Sequence, residues 1–162
     1  GNDNRFVLQY YGKGSETLQA YCSENHITNV DFYGTFSQEE TIRFYEKTDI
    51  INNMYGNETM NLQLALSNKL YYSLFLELPI LVSDHTLMQE LTEEYKIGFT
   101  FVDDVHFADR LYNWYQSVQR DKSICRFGEL WNRVYQEDCN CIKRLEAFLA
   151  ADGCMEKAEK RQ

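Results

Sequence analysis

Short apolar runs alternate with amphipathic segments along the first two thirds of the chain. Five runs rich in β-branched and aromatic residues are bounded by turn residues, as is typical of strands, at residues 6–11, 30–33, 49–52, 79–83 and 98–102. Between them, apolar residues recur every three or four positions, which predicts helices. Repeated strand–helix alternation indicates right-handed crossovers between parallel strands. The pattern predicts an α/β fold, with a doubly wound parallel sheet of about five or six strands and helices on both faces.

Polar residues just before the apolar stripes predict where several helices begin. Ser15 is a candidate N-cap for the helix that follows the first strand. Ser37 and Glu40 have the spacing of a capping box, and so have Thr86 and Gln89. Three of the predicted helices therefore have a start signal of their own.

The middle of the chain predicts one long helix, over residues 62–78, followed by a buried strand. Pro79, the only proline, then stands at the first position of that strand, where its missing N–H costs little. The charged tail, residues 152–162, is predicted to be frayed. The last third predicts extra C-terminal helices, with apolar faces marked by Leu111, Trp114, Tyr115, Val118, Phe127, Leu130, Trp131, Val134, Tyr135, Ile142, Leu145, Phe148 and Leu149.

Composition narrows the class of protein. The 162 residues fit a single domain over residues 1–162, and a hydrophobic share of 44% with 15% aromatic residues indicates a globular chain. The formal charge of −9 would repel nucleic acid overall, although a local basic pocket could still hold one small phosphate ligand. No run reaches the roughly 18 apolar residues of a membrane-spanning helix, and no signal peptide opens the chain. We therefore expect no nucleic-acid partner and no transmembrane segment.

The cysteines and histidines predict neither a disulfide framework nor a metal site. The cysteines are odd in number and include no Cys-x-x-Cys pair, so we expect reduced thiols in the cytoplasm. The histidines show no metal-ligand spacing. Adjacent loop residues such as Asp84 and His85 rarely face each other, so we expect His85 to be structural and assign no catalytic residue. The residues concerned are Cys22, Cys125, Cys139, Cys141, Cys154, His26, His85 and His106.

Two glycine-containing turns stand at the carboxyl ends of predicted strands, where ligands bind in open parallel sheets. Gly12-Lys13-Gly14 matches part of a dinucleotide-binding fingerprint and is either a tight turn or a ligand loop. Tyr33-Gly34-Thr35 follows the second strand. Gly34 would let the backbone approach a flat nucleobase with Phe36 stacked beside it, or it is a turn glycine next to a core phenylalanine.

The start of the predicted long helix is a third candidate segment. Lys69 can neutralise a phosphate, and Asn68 can cap the helix or hydrogen-bond a ligand, although a capped and solvated helix start explains both residues as well. The segment Asn68-Lys69-Leu70-Tyr71-Tyr72, followed in register by Leu78-Pro79-Ile80-Leu81, resembles the donor-domain signature of family 4-like GT-B glycosyltransferases (glycosyl transferases group 1). Gly12-x-Gly14, the segment from Asn29 to Gly34 and the pair Asp49-Ile50 resemble further family motifs in the family's order. The resemblance covers residues 6–103.

This resemblance implies a Rossmann-like fold and the C-terminal, nucleotide-sugar-binding half of such an enzyme. The N-terminal acceptor domain of the same polypeptide would lie outside this chain, and the half alone is expected to be inactive because the family works in the cleft between two domains. The donor would be a UDP- or GDP-sugar bound without a metal ion. The full enzyme would be a cytoplasmic hexosyltransferase of bacterial surface or capsular polysaccharide biosynthesis, with peripheral membrane association left open.

The resemblance also implies which residues contact the donor: Gly12, Gly14, Tyr33, Gly34, Thr35, Asn68, Lys69 and Tyr72. The two glutamates of the family motif fall on Leu64 and Tyr72. A carboxylate that would hold a ribose diol is thus replaced by a tyrosine, which can give one hydrogen bond but not a bidentate clamp. This departure favours a rival from another class, a non-catalytic Rossmann-like module used for protein interaction.

Overall fold

The computed structural model describes residues 2–151. The chain divides into two compact units, which we call unit 1 (Gly1–Asp49) and unit 2 (Ile50–Gln162). Cys154 and the tail that was predicted to be frayed lie outside the described residues. Each unit is described separately below.

Unit 1 contains two parallel strands and its own helices. Strand β1 is Leu8–Tyr11, helix α1 is Glu16–Glu24, strand β2 is Val30–Tyr33, and a 3-10 turn at Gln38–Glu40 leads into helix α2, Thr41–Tyr45. The strands pair in register from Leu8 opposite Val30 to Tyr11 opposite Tyr33. Their carboxyl ends therefore lie side by side, which places the two glycine turns next to each other.

Unit 2 contains three parallel strands and most of the helices. The strands are β3 (Ile51–Asn53), β4 (Ile80–Ser83) and β5 (Gly98–Phe101). The helices are α3 (Met60–Leu64), α4 (Asn68–Leu76), α5 (Leu87–Tyr95), α6 (Phe107–Arg120) and α7 (Phe127–Ala151), with a 3-10 turn at Lys122–Ile124. Strand β4 lies between β3 and β5.

The core of unit 2 surrounds this central strand. All four residues of β4 are buried, as expected for a parallel strand covered on both faces. Helix α5 packs on β4 and β5, and helix α4 packs on α7, where the rings of Phe75 and Trp131 lie 6.2 Å apart. The buried hydrophobic residues of this unit are Ile51, Leu70, Leu74, Ile80, Leu81, Val82, Met88, Tyr95, Ile97, Leu111, Val118, Phe127 and Leu130.

The predicted α/β class with parallel strands is confirmed, but the sheet differs from the predicted one. The five strands form one two-stranded and one three-stranded sheet, so each sheet has fewer strands than the single sheet of about five or six that the sequence predicts. The strand predicted at residues 30–33 has those bounds in the structure. The C-terminal apolar stripe forms one 25-residue helix, α7.

The prediction of one continuous helix over residues 62–78 is wrong. The chain leaves the helical conformation at Ala65, which has a ψ of 135°, and α4 begins only after Ser67. The Ser67 hydroxyl accepts a hydrogen bond from the Lys69 amide, at 3.2 Å. A serine that caps a new helix in this way competes with continuation of the previous one. This break brings the start of α4 to the carboxyl end of β3.

The predicted caps have different outcomes in the two units. The Thr86 hydroxyl accepts from the Gln89 amide, at 3.1 Å, so the predicted cap of α5 is confirmed. Glu40 accepts from the Ser37 amide at 2.7 Å, as in a capping box, although a 3-10 turn precedes α2 there. Ser15 precedes α1 but makes no side-chain cap; its hydroxyl accepts from the Gln19 side chain instead.

Candidate ligand sites at the carboxyl ends of the strands

The glycine turns of unit 1 meet at the carboxyl end of its sheet. The Gly12 amide donates to the Gly34 carbonyl, at 3.2 Å. Gly12 has a φ of +134°, a backbone conformation that favours glycine. The structure therefore brings together the two predicted loops of this unit, Gly12 to Gly14 and Tyr33 to Thr35.

Aromatic rings cover the same end of unit 1. The Tyr11 ring stacks on Tyr33, with centroids 4.5 Å apart, and on Phe44, at 4.1 Å. Phe36 meets Phe44 edge to face, at 4.8 Å. Burial among these rings raises the pKa of the Tyr11 hydroxyl, and the nearby Tyr33 and Asp31 add to that rise. Phe36 thus packs within an aromatic cluster, and both it and Tyr33 remain 42% exposed.

Unit 2 has a small pocket at the equivalent end of its sheet. The pocket has a volume of about 40 Å³ and opens to solvent. Asn53 ends β3 and Ser83 ends β4, while Ser67 and Thr86 are the N-caps of α4 and α5. The lining residues are Asn53, Tyr55, Gly56, Leu62, Ala65, Ser67, Ser83, Thr86 and Met88.

Hydroxyl groups hold the backbone around this pocket. The Ser83 hydroxyl accepts from the Gly56 amide at 2.9 Å, which fixes the loop after β3 against the end of β4. The Thr86 hydroxyl donates to the Ser83 carbonyl at 2.8 Å while capping α5. These bonds satisfy backbone groups that a strand end or helix start would otherwise leave unpaired. The bond between Gly56 and Ser83 joins segments 27 residues apart, and the bond between Thr86 and Ser83 is local.

Among the lining residues, Asn53 is the one with a buried side-chain oxygen that has no hydrogen-bond partner within residues 2–151. The residue is only 4% exposed, and its side-chain oxygen Oδ1 is buried. A buried acceptor without a donor costs free energy unless another group, such as an ordered water, pairs with it. The sequence analysis did not select Asn53. The sequence signal that could have identified it is the position of an asparagine at the carboxyl end of a short predicted strand.

Lys69 lies at the rim formed by α4 and the loop after β3. Its ammonium group donates to the Asn52 carbonyl at 2.7 Å and lies 4.9 Å from the centre of the Tyr55 ring. The expectation that Asn68 caps the helix is wrong, because Ser67 does so and Asn68 is the first helical residue, with an exposed side chain. Tyr72 is half-buried one turn further along α4.

The loop after β4 forms another part of the surroundings. The Asn57 side chain donates to Asp84, at 3.2 Å to its carbonyl and 3.0 Å to its carboxylate. His85 Nε2 lies 3.6 Å from the other Asp84 carboxylate oxygen, and the His85 side chain is 83% exposed. Within the described residues, no group of three or more His, Cys, Asp or Glu side chains could hold a metal ion. Asp84 thus ties two loops together beside the pocket.

The predicted site residues fall into two sets. Unit 1 contains Gly12, Gly14, Tyr33, Gly34 and Thr35, and unit 2 contains Asn68, Lys69 and Tyr72.

Comparison of the chain with protein-family models, with curated proteins and with solved structures gave no match. In the part of the chain that the structure describes, no helix is both long and apolar enough to cross a membrane.

Proposed function

We propose that this chain is the donor-binding half of a GT-B-type glycosyltransferase and binds a UDP- or GDP-sugar. The observation that carries the proposal is the pocket of unit 2, which lies where two parallel strands end and two nine-residue helices, α4 and α5, begin. Parallel sheets bind ligands at this edge, and helix N-termini favour anions there.

The charges around the pocket support a phosphate-bearing ligand. The chain carries a formal charge of −9, yet none of the residues known to line the pocket is acidic. The ammonium group of Lys69 lies beside the lining residue Tyr55. Two acids lie next to lining residues: Asp84 follows Ser83 directly, and the Glu58 carboxylate lies against Gly56. We assign the diphosphate to the start of α4, with Lys69 as its cationic partner and Asn68 as a hydrogen-bonding neighbour.

Within unit 1 alone, the turns of Gly12 and Gly34 offer backbone that a flat ring could approach closely, beside the partly exposed rings of Tyr33 and Phe36. The assignment of these residues to the nucleobase stays a prediction of the sequence resemblance. The proposal includes a Rossmann-like, doubly wound domain, since every strand pair of the structure is parallel. The acceptor domain would belong to the same polypeptide, and the whole enzyme would act in cytoplasmic assembly of a bacterial surface polysaccharide without a metal ion.

A second candidate function is a non-catalytic module that binds another protein. Helix α7 favours it, because large apolar side chains along it are exposed: Tyr135, Ile142, Leu145 and Phe148. Exposed apolar residues that recur along one helix are typical of an interaction surface. The absence of a carboxylate at Tyr72 is compatible with this function too.

Calorimetric titration of the full chain with uridine, UDP, guanosine and GDP separates the two functions. A donor-binding domain should bind UDP or GDP, and Lys69→Met should weaken diphosphate binding about tenfold while changing nucleoside binding little, since it removes one charge-assisted hydrogen bond. Lys143→Met, on exposed α7, is the matched control and should leave both unchanged. Failure of a folded chain to bind either diphosphate at millimolar concentration would reject donor binding. Equal losses for nucleoside and diphosphate would reject the role of Lys69.

A further inference from the structure

Helix α7 is packed at its start and exposed over its second half. Phe127 and Leu130 are buried, and the helix packs on α4 and α5. From residue 141 to residue 150, every position is exposed. An isolated helix of about ten residues is only marginally stable in water, because most helical stability comes from the packing of an apolar face. Within residues 2–151, nothing covers this part of α7.

Exposed apolar side chains follow one face of α7, and we call this set the α7 stripe. Its members recur at intervals of three, four or seven residues, and Phe75 of α4 extends it because its ring lies 6.2 Å from that of Trp131. At about 100 Å² for each half-exposed side chain, the stripe exposes roughly 700 Å² per copy, close to the 800 Å² or so that each partner buries in a specific interface. Its side chains are 37–65% exposed: Phe75, Trp131, Tyr135, Ile142, Leu145, Phe148 and Leu149.

The charges of α7 indicate which partner fits this face. Two acids, Glu137 and Asp138, come before residue 140, and two bases, Lys143 and Arg144, come after it. Asp138, Lys143 and Arg144 make no ion pair with other described residues, whereas Glu137 pairs with Arg133. A second copy lying parallel would place like charges side by side. An antiparallel copy, with a two-fold axis near residue 140, would place each acidic segment beside the basic segment of the other copy.

The same antiparallel register also matches the apolar positions. With the axis at residue 140, Tyr135 lies opposite Leu145 of the second copy, and Trp131 lies opposite Leu149. Asp138 then lies opposite Ile142. A polar residue at one such position lowers the stability of a helix pair but specifies a single register. Charge and apolar pattern therefore favour the same arrangement.

An anionic membrane does not fit this face. Helices that lie on such membranes are rich in Lys and Arg, whereas α7 has four acidic and three basic residues. The chain as a whole carries a formal charge of −9, which would also repel an anionic surface. The α7 residues counted are Glu129, Glu137, Asp138, Glu146, Arg133, Lys143 and Arg144.

We propose that the α7 stripe is the interface of an antiparallel homodimer of this chain. The dimer buries the second half of α7 against the first half of the same helix in the other copy. The proposal goes beyond donor binding and does not depend on it. It also gives the exposed face of α7 a partner of known sequence.

Sedimentation velocity of the full chain over about 1 to 100 μM tests the dimer, which should predominate at tens of micromolar. Leu145→Asp places a charge in the stripe of each copy and should raise the dimer Kd at least about a hundredfold. Val105→Asp is the matched control, because Val105 is 91% exposed and lies outside α7, and it should leave the Kd unchanged. Tryptophan fluorescence during urea unfolding checks that each variant is folded.

Charge reversal tests the antiparallel orientation without changing the stripe. Replacing both bases, by Lys143→Glu and Arg144→Glu, should weaken the dimer about tenfold at low salt. Replacing both acids as well, by Glu137→Lys and Asp138→Lys, should restore the wild-type Kd, since the opposite charges are exchanged as a set. A parallel dimer predicts no such restoration.

A wild type that stays monomeric up to about 100 μM would overturn the proposal, whether its α7 binds neutral phosphatidylcholine vesicles or another protein instead. A dimer with the same Kd in wild type and Leu145→Asp would overturn it too, because the interface would then lie elsewhere. Nucleotide titration is a separate measurement. A monomer that binds UDP or GDP rejects the dimer alone, and a dimer that binds neither rejects donor binding alone.

Discussion

Units 1 and 2 use the same strand–helix–strand pattern but bury their residues to different extents. In unit 1, Cys22 is the one buried residue among those whose exposure is described. Strand β2 alternates between half-buried and exposed positions, and β1 is exposed at Leu8 and half-buried from Gln9 to Tyr11. In unit 2, β4 is buried at every position. At the carboxyl end of its sheet, unit 1 has stacked aromatic rings and glycine turns, whereas unit 2 has hydroxyl groups and helix caps.

This difference shows how each unit holds its strand ends in place. In unit 2, a packed core and bonds such as that from the Gly56 amide to the Ser83 hydroxyl fix the end of the sheet. In unit 1, stacking of Tyr11 between Tyr33 and Phe44 takes that role. Aromatic pairs contribute about 0.5–1.5 kcal/mol each beyond their burial, but Cys22 is the only buried residue among those of unit 1 whose exposure is described, so unit 1 removes less apolar surface from water. Unit 1 should therefore tolerate local changes that unit 2 does not.

The largest expected contrast comes from one glycine in each unit. A Cβ atom at Gly98, in β5, would overlap the Ile80 carbonyl of β4, whereas one at Gly34 would meet no atom within 4 Å. We expect Gly98→Ala to lower the free energy of unfolding by about 3 kcal/mol, because the strands must separate, and Gly34→Ala to change it by less than about 0.5 kcal/mol.

Urea unfolding followed by tryptophan fluorescence measures the stability of the Gly98→Ala variant, since both tryptophans, Trp114 and Trp131, belong to unit 2. Amide hydrogen exchange in β1 and β2 measures the stability of unit 1 in the Gly34→Ala variant. A Gly98→Ala variant as stable as wild type would mean that β4 and β5 do not approach each other this closely.

Helix caps give an intermediate contrast. Thr86 caps α5 through the Gln89 amide, while Ser15 precedes α1 in a helical conformation without a side-chain cap. We expect Thr86→Ala to lower the free energy of unfolding by about 1–2 kcal/mol, and Ser15→Ala to lower it by only a few tenths of a kcal/mol. Thermal and urea unfolding give the stabilities, and hydrogen exchange of the Gln89 amide reports the cap itself. Thr86→Ser keeps the capping oxygen, so its free energy of unfolding should stay within about 0.5 kcal/mol of the wild-type value. A loss of stability as large as that of Thr86→Ala would contradict the cap.

The smallest effect is electrostatic and has the same direction in the two units. In unit 1, hydrogen bonds from Arg5 lower the pKa of the Asp3 carboxyl from 3.8 to about 2, and in unit 2 a side-chain bond from Arg110 lowers the pKa of Asp104. Because the folded pKa of Asp3 is depressed, its contribution to stability is present above pH 3.8 and is lost as the pH falls through about 2. NMR titration should find the Asp3 midpoint near pH 2, and Arg5→Gln should return it toward 3.8. An unchanged midpoint in that variant would contradict the pairing.

The sequence predicted those features that depend on neighbours along the chain. Alternation and turn residues located all five strands to within about two residues, and the spacing of Thr86 and Gln89 identified a cap that the structure confirms. The same local reasoning failed between residues 62 and 78, where a continuous apolar pattern concealed the break at Ala65. Ser67 could be read either as a helix residue or as a cap, and local propensity does not choose between the two.

The sequence by itself determined the α/β class, the positions of the strands and the polar character of the strand ends, because each follows from residues close together in the chain. Only the tertiary structure decided that the strands form two sheets and that Asn53 is buried at a pocket wall. Partners for such groups come from distant segments: the Ser83 hydroxyl meets an amide 27 residues away, and Lys69 meets a carbonyl 17 residues away. Whether a polar atom is paired depends on these packing contacts, which no local pattern encodes.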